Sequence, residues 1–176
     1  MTSLAAIAAR VDAREAWLAL AAGRLAQHQP QQAAAALAAA LSGHVLPADG
    51  MMAPLADAVA DAAEAPGWCG LDGQGRLVVS RGAPPQILLD GVEAGWTPRR
   101  LLPATVARVE VRRGGRALLG SPLAPLRLRR IEGIVACRDG GLAGWAWHPA
   151  DPDADPELCI VSLSGRPGLR IRAADR

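Results

Sequence analysis

Two tryptophans separated by one residue are the most distinctive side chains in this 176-residue sequence. Trp145 and Trp147 stand in the run GGLAGWAWHP, with His148 directly after them. Residues two apart on a β-strand point to the same face, so the two indoles would lie in line. Such a row can stack on sugar rings, or it can fill a core that contains no Phe or Tyr. His148 has no Cys or His neighbour in the sequence, which argues against a metal role.

The residues around the two tryptophans favour packing. Gly140-Gly141 and Gly144 allow close backbone approach. We therefore expect at least one of the two indoles to be buried, so that its replacement by alanine costs about 3–5 kcal/mol of stability. An exposed platform predicts the opposite, namely unchanged stability and lost glycan binding. The candidate contacts to a glycan or to another protein surface are Trp145, Trp147 and His148.

A run of alternating acids and prolines follows the tryptophans. Asp151, Asp153 and Asp155 have a spacing at which carboxylates can chelate calcium, but the sixth position of an EF-hand loop requires glycine and here is Pro156. The run also resembles the Asp-x-Asp element of glycosyltransferases, which sits in an α/β nucleotide-binding domain that this sequence does not predict. We interpret it as a surface turn stiffened by proline, with no metal and no cofactor.

The sequence also shows no motif that would pair a nucleophilic side chain with a catalytic base. Ser121 stands in LGSPL without the GxSxG pattern of a nucleophile elbow, and its candidate bases are His28, His44 and His148. All nineteen basic residues are Arg, so no P-loop lysine exists. We predict no catalytic residue in this chain, which leaves open whether it belongs to an enzyme.

Three cysteines without a CxxC pair indicate reduced thiols in a cytosol rather than a disulfide framework or a zinc site. Cys137 and Cys159 fall in predicted strands, where we expect small buried side chains. Charged residues interrupt the N-terminal run MTSLAAIAARVDAREAW, so it does not fit a signal peptide, and no 18-residue apolar run exists. We expect a cytoplasmic protein without a membrane span.

The net charge of +2 does not by itself indicate a nucleic-acid partner. No aromatic residues are interleaved among the arginines of the middle of the chain, as a base-stacking surface would require. We expect no nucleic acid and interpret these arginines as a solvated strand face. They are Arg99, Arg100, Arg112, Arg113, Arg116, Arg127, Arg129 and Arg130.

Composition changes at Pro66-Gly67, because 25 of the 38 alanines but only three of the nineteen glycines precede it. Alanine favours helices and glycine disfavours them. The sequence therefore predicts an alanine-rich helical domain over 1–65 and a β-rich domain over 66–176, which is either one unit or two modules, 66–126 and 127–176. Hydrophobic spacing predicts helices over 3–28, 30–43 and 52–64.

After residue 68, short apolar runs alternate with turns such as Asp90-Gly91 and Gly114-Gly115. The later runs predict strands over 131–137, 142–147, 157–163 and 168–172. With no helix predicted between them, the expected fold class is α+β: a helical hairpin plus a third helix, then an antiparallel β-sandwich-like or small-barrel region.

The two N-terminal helices resemble one degenerate tetratricopeptide repeat, in which small residues lie where two antiparallel helices touch. The positions that carry the resemblance are Trp17, Leu20, Ala21, Ala33, Leu37 and Ala40. Arg24 departs from the pattern, because an aromatic residue is usual there. The alternative is a generic alanine-rich helical hairpin.

The run 131–165 resembles a small β module of bacterial sugar-transfer proteins, which combines a strand, a tight turn, Gly-Trp-Ala-Trp and an Asp/Pro-rich loop. The matching residues are Gly133, Gly140, Gly144, Trp145, Ala146, Trp147, Pro149, Asp151 and Pro152. The preceding run 116–123 is similar to segments upstream of family-2-type glycosyltransferase domains. In that setting a catalytic α/β domain follows, so we expect either a fragment or a truncated gene product.

The resemblance implies a non-catalytic accessory region of a bacterial glycosyltransferase-type protein, which positions a glycan acceptor or docks to the catalytic domain. It transfers no catalytic residue to this sequence. The alternative is a stand-alone protein-interaction module whose contact surface is the helical hairpin. The expected partners are accordingly a glycan or a glycosyltransferase catalytic domain.

Overall fold

A computed structural model describes residues 13–173 except 48–49, 96, 98, 139–140, 152–153 and 162–166. Helices and antiparallel sheets make up these residues, which confirms the α+β class, and no sheet among them closes into a barrel. The helices are α1 (Ala13–Ala26), α2 (Pro30–Gly43), α3 (Met52–Ala62) and α4 (Pro125–Leu128). The strands are β1 (Cys69–Leu71), β2 (Arg76–Val79), β3 (Gln86–Leu89), β4 (Val92–Ala94), β5 (Arg100–Leu101), β6 (Val109–Arg113), β7 (Arg116–Ala117), β8 (Glu132–Arg138), β9 (Gly141–Trp147), β10 (Glu157–Val161) and β11 (Pro167–Arg172).

Helices α1 and α2 form the predicted hairpin, joined by only three residues. The predicted bounds of α2 are confirmed, with Pro30 at its first position and Leu37 and Leu41 fully buried. Residues 3–12 of the predicted first helix lie outside the described residues. At the end of α1, His28 adopts a left-handed conformation with φ 57°, and the backbone N–H of Gln29 donates to the carbonyl of Arg24. This is a Schellman ending, in which glycine usually takes the left-handed position.

Helix α3 completes the first of two core clusters. Its Val59 is fully buried, and Trp68 packs against the helices with 5% of its surface exposed. The indole N–H of Trp68 donates to Asp57 Oδ1 at 2.6 Å, which satisfies the one polar group of this large side chain. None of the helices in the described ranges is long and apolar enough to cross a membrane.

Two sheets build the second cluster. The three-stranded sheet has the order β1-β2-β5 and the four-stranded sheet has the order β4-β3-β6-β7, with every neighbouring pair antiparallel. Their inward side chains are aliphatic, and the fully buried ones include Leu71, Leu77, Ile87, Val109 and Val111. The last helical residue before the strands is Ala62, while the division into domains 1–65 and 66–176, and the further split at 126–127, stay predictions.

Tight turns connect the strands where the sequence predicted them. Asp90 and Gly91 both have positive φ, at 49° and 86°, as a type I′ hairpin turn requires. The Asp90 carboxylate also accepts hydrogen bonds from the backbone N–H groups of Ala107 and Arg108. These two N–H groups bind the Asp90 side chain, so the hydrogen-bonded pairing of β6 with β3 begins at Val109. The alternation of side chains in the sequence begins earlier, at residue 105.

The interpretation of the central arginines as a solvated strand face is wrong for Arg113 and Arg129. The Arg113 guanidinium donates to the carbonyls of Pro66, Ser80, Arg81 and Ala83 at 2.6–3.3 Å. Arg129 donates to those of Gly75, Leu102 and Pro103 at 2.9–3.2 Å. Five donors in a planar fork allow one arginine to satisfy several loop carbonyls at once. We call these two side chains the arginine clamps.

Candidate functional site

The tryptophans that the sequence singles out lie on a two-stranded hairpin formed by β8 and β9. The strands pair antiparallel over seven residue pairs, and Trp145 stands opposite Ile134 while Trp147 stands opposite Glu132. Alternation along β9 puts Trp145, Trp147 and Ala143 on one face. The Cα atoms of the two tryptophans are thus about 7 Å apart along the strand.

Trp145 exposes 43% of its surface and Trp147 is half-buried, and neither indole belongs to a core cluster. The expectation that at least one of the two is buried is therefore wrong. The premise behind the prediction fails because, among the described residues, the buried side chains of the β core are aliphatic apart from the Cys69 thiol, and Trp68 packs in the helical cluster. The indoles are therefore available on the surface of the hairpin.

The two strands of the hairpin approach closely beside Trp145. A Cβ atom at Gly144 would meet the carbonyl of Ile134 across the hairpin, and one at Gly133 would meet the carbonyl of Trp145. Glycine is therefore required at both positions by the close approach of the two strands. Ile134, directly opposite Trp145, is itself 60% exposed. Trp145 and Ile134 thus form an exposed apolar pair on this face of the hairpin.

His148 ties the base of this hairpin to the body of the protein. Its Nε2 lies 2.7 Å from the carbonyl oxygen of Leu128, and a carbonyl only accepts, so Nε2 carries the proton. Two residues later, the buried Ala150 accepts a hydrogen bond from the backbone N–H of Val45 at 2.8 Å. The structure thus gives His148 an anchoring position, which orients the strand that carries Trp145.

The acidic run does not assemble a metal site among the described residues. Asp153 lies outside them, and no group of three or more potential metal-ligating side chains occurs within them. The backbone N–H of Asp151 donates to the carbonyl of His148, and Asp151 in turn accepts from Ala154 at 3.3 Å. Because Pro152 and Asp153 lie outside the described residues, the interpretation of the whole run as a proline-stiffened surface turn stays a prediction.

The hydroxyl and imidazole groups that the sequence offered for catalysis are separate. Ser121 Oγ accepts a hydrogen bond from the backbone N–H of Val111 at 2.9 Å. His28 ends α1, and the buried His44 has Nδ1 3.3 Å from the Ala40 carbonyl. Burial lowers the pKa of His44, and the charges of nearby arginines act in the same direction.

The expected burial of two cysteines is wrong. Cys137 and Cys159 are both exposed, because each lies on a two-stranded hairpin that has no second layer over it. Cys69 is fully buried at the start of β1, and this burial raises the pKa of its thiol to about 12. Low thiolate content and lack of access make Cys69 structural.

A groove between the helices and the β1–β2–β5 sheet is the feature that the sequence analysis missed. Arg76 and Arg99 stand on its rim, 23 residues apart in the chain. The one local sequence signal is the run Asp72–Gly75 with its two glycines, which lies between β1 and β2. The chain has no match among protein-family models, curated proteins or solved structures.

Proposed function

We propose that the chain is a non-catalytic accessory region of a bacterial glycosyltransferase-type protein and that it holds a glycan acceptor through Trp145. The observation that carries the proposal is the 43% exposure of this indole on a two-stranded hairpin. An exposed indole offers a flat apolar face, and the axial C–H groups of a sugar ring offer a matching one. Stacking removes both faces from water.

The rest of the hairpin suits an extended ligand. Trp147 follows on the same face and is half-buried, so it adds a second, more rigid contact. Glu132 stands opposite Trp147, where a carboxylate can accept hydrogen bonds from sugar hydroxyls. His148 fixes the base of β9, so part of the entropy cost of ordering the site is met before the ligand binds. We place this activity in the cytoplasm, beside a catalytic domain.

The test compares two exposed tryptophans. Trp17 on α1 exposes 40% of its surface and is the matched control for Trp145. An amine-reactive dye labels only the N-terminus, because the chain contains no lysine. The labelled wild-type chain, Trp145→Ala and Trp17→Ala are applied to an array of bacterial oligosaccharides. Trp145→Ala should lose glycan binding, Trp17→Ala should retain it, and both should unfold within about 1 kcal/mol of the wild type.

Two results would contradict the proposal. The first is absence of binding to every oligosaccharide by the wild-type chain. The second is equal binding by wild type and Trp145→Ala, which would mean that the indole is not the contact. A large loss of stability in Trp145→Ala would restore the packing interpretation.

A second candidate function has its own observation. Trp17 and Leu20 are one turn apart on α1, and they expose 40% and 42% of their surfaces. Exposed large apolar side chains on one helix face favour a protein-interaction module. Binding of the chain to a purified family-2-type catalytic domain measures this. Loss of binding in Trp17→Ala but not in Trp145→Ala would support the helical hairpin as the contact surface.

A further inference from the structure

The groove between the helices and the three-stranded sheet has a volume of about 510 Å³, which is in the range of small-molecule sites. Six of its lining side chains are apolar: Leu46, Pro47, Met52, Ala53, Trp68 and Val78. Its polar lining is Asp72, Gln74, Arg76 and Arg99. An apolar floor with a few polar groups at one side is the usual composition of a small-molecule site.

The described lining of the groove carries more positive than negative charge. Asp72 is the one carboxylate among the lining residues that the structure describes, and its Oδ1 already accepts hydrogen bonds from the backbone N–H groups of Gln74 at 3.0 Å and Arg76 at 2.8 Å. Two arginines, Arg76 and Arg99, line the same groove. The first turn of α3 lines the groove as well, and the positive end of its helix dipole adds to the same potential.

The two guanidinium groups are also uncommitted. Within the described residues neither Arg76 nor Arg99 donates a side-chain hydrogen bond or forms an ion pair. By contrast, Arg112 pairs with Glu110 at 2.7 Å, and the arginine clamps are occupied by backbone carbonyls. Arg99 is held at φ 52°, a left-handed backbone that non-glycine residues rarely adopt. Two unpaired cations beside an apolar cavity are suited to an anion.

We propose that this groove binds a small organic anion. The apolar body of the ligand would lie against Met52, Trp68 and Val78, and its carboxylate or phosphate would face Arg76 and Arg99. The site is distinct from the indoles of the β8–β9 hairpin and shares no residue with them. The outcome of a binding test on this groove is therefore independent of the outcome of the test on the proposed glycan contact.

The test uses phenyl phosphate, benzoate and benzyl alcohol as probes of matched apolar size. Amide chemical shifts of the ¹⁵N-labelled chain are followed during each titration. Phenyl phosphate or benzoate should shift the amides of Gly50, Ala53, Gly73 and Gln74, which line the groove. The neutral alcohol should bind at least about tenfold more weakly, because a charged hydrogen bond contributes roughly 1.5–3 kcal/mol. The stronger of the two anions identifies the preferred head group.

Charge variants complete the experiment. Arg76→Gln and Arg99→Gln should each weaken binding of the better anion by about tenfold. Arg130→Gln is the matched control, because Arg130 is exposed, makes no side-chain contact among the described residues and lies outside the groove. Trp145→Ala should bind the anion as the wild type does. Equal affinity for benzyl alcohol, shifts confined to the β8–β9 hairpin, no shift at all, or unchanged binding in both groove variants would each overturn the proposal.

Discussion

Replacement of Arg129 by alanine should destabilise the protein by about 3 kcal/mol, whereas the same change at the adjacent Arg130 should have almost no effect. Arg129 donates three hydrogen bonds, to Gly75 at 2.9 Å, Leu102 at 3.0 Å and Pro103 at 3.2 Å. A hydrogen bond from a charged donor contributes about 1.5–3 kcal/mol, and we reduce the sum by about half because the guanidinium is only half-buried. Arg130 is exposed, where substitutions change stability by about 0.5 kcal/mol or less.

Urea unfolding followed by circular dichroism measures both variants. For a chain of this length, a loss of about 3 kcal/mol corresponds to a fall in Tm of roughly 6–12 °C. Arg129→Lys should recover less than half of the loss, because an ammonium group cannot reach three carbonyls as a planar fork does. Equal midpoints for Arg129→Ala and Arg130→Ala would refute the assignment of Arg129 as a clamp.

Three other groups give measurable expectations. In the native protein Cys137 and Cys159 should react with Ellman's reagent, whereas Cys69 should resist it, because burial raises the pKa of the Cys69 thiol to about 12. Reaction of all three thiols in the native protein would contradict this prediction. Burial lowers the pKa of His44 below 6.5, so the unfolded chain protonates first as pH falls. The free energy of unfolding should therefore be level above pH 6.5 and decrease below it, and His44→Gln should reduce that slope. His28 and Glu64 follow helix ends and have left-handed backbones, with φ 57° and 52°. Replacing either by glycine should stabilise the protein by about 0.5–1 kcal/mol in urea unfolding. The control Ala35→Gly, inside α2, should destabilise it by about 1 kcal/mol.

Local structure was predictable because local residues determine it. Pro30 and Gly43 bound α2 as expected, since proline suits a first turn and glycine a helix end. Gly114 and Gly115 turn the chain between β6 and β7 with φ 57° and 77°, which side chains other than glycine seldom allow. The predicted strands 131–137 and 142–147 also pair as a hairpin, with β8 shifted by one residue to 132–138 and β9 beginning one residue earlier, at Gly141.

The errors arose where distant residues decide the outcome. The burial of Trp145 depends on whether another layer covers its hairpin, and alternation along one strand contains no information on that layer. The positions of Arg113 and Arg129 depend on carbonyls that lie 26 to 54 residues away. Arg76 and Arg99 meet at one groove only because the β2–β5 pairing brings their segments together. No spacing rule connects these residues in the sequence.

The arginine clamps have a consequence for the order of folding events. Arg113 reaches Pro66 across 47 residues and Arg129 reaches Gly75 across 54, so each clamp requires both of its segments to be in place beforehand. We expect these interactions to form after the rate-limiting step, so that their loss accelerates unfolding more than it slows folding. The clamps would thus act mainly as a kinetic barrier to opening of the loops around β2, which prolongs the lifetime of the native state.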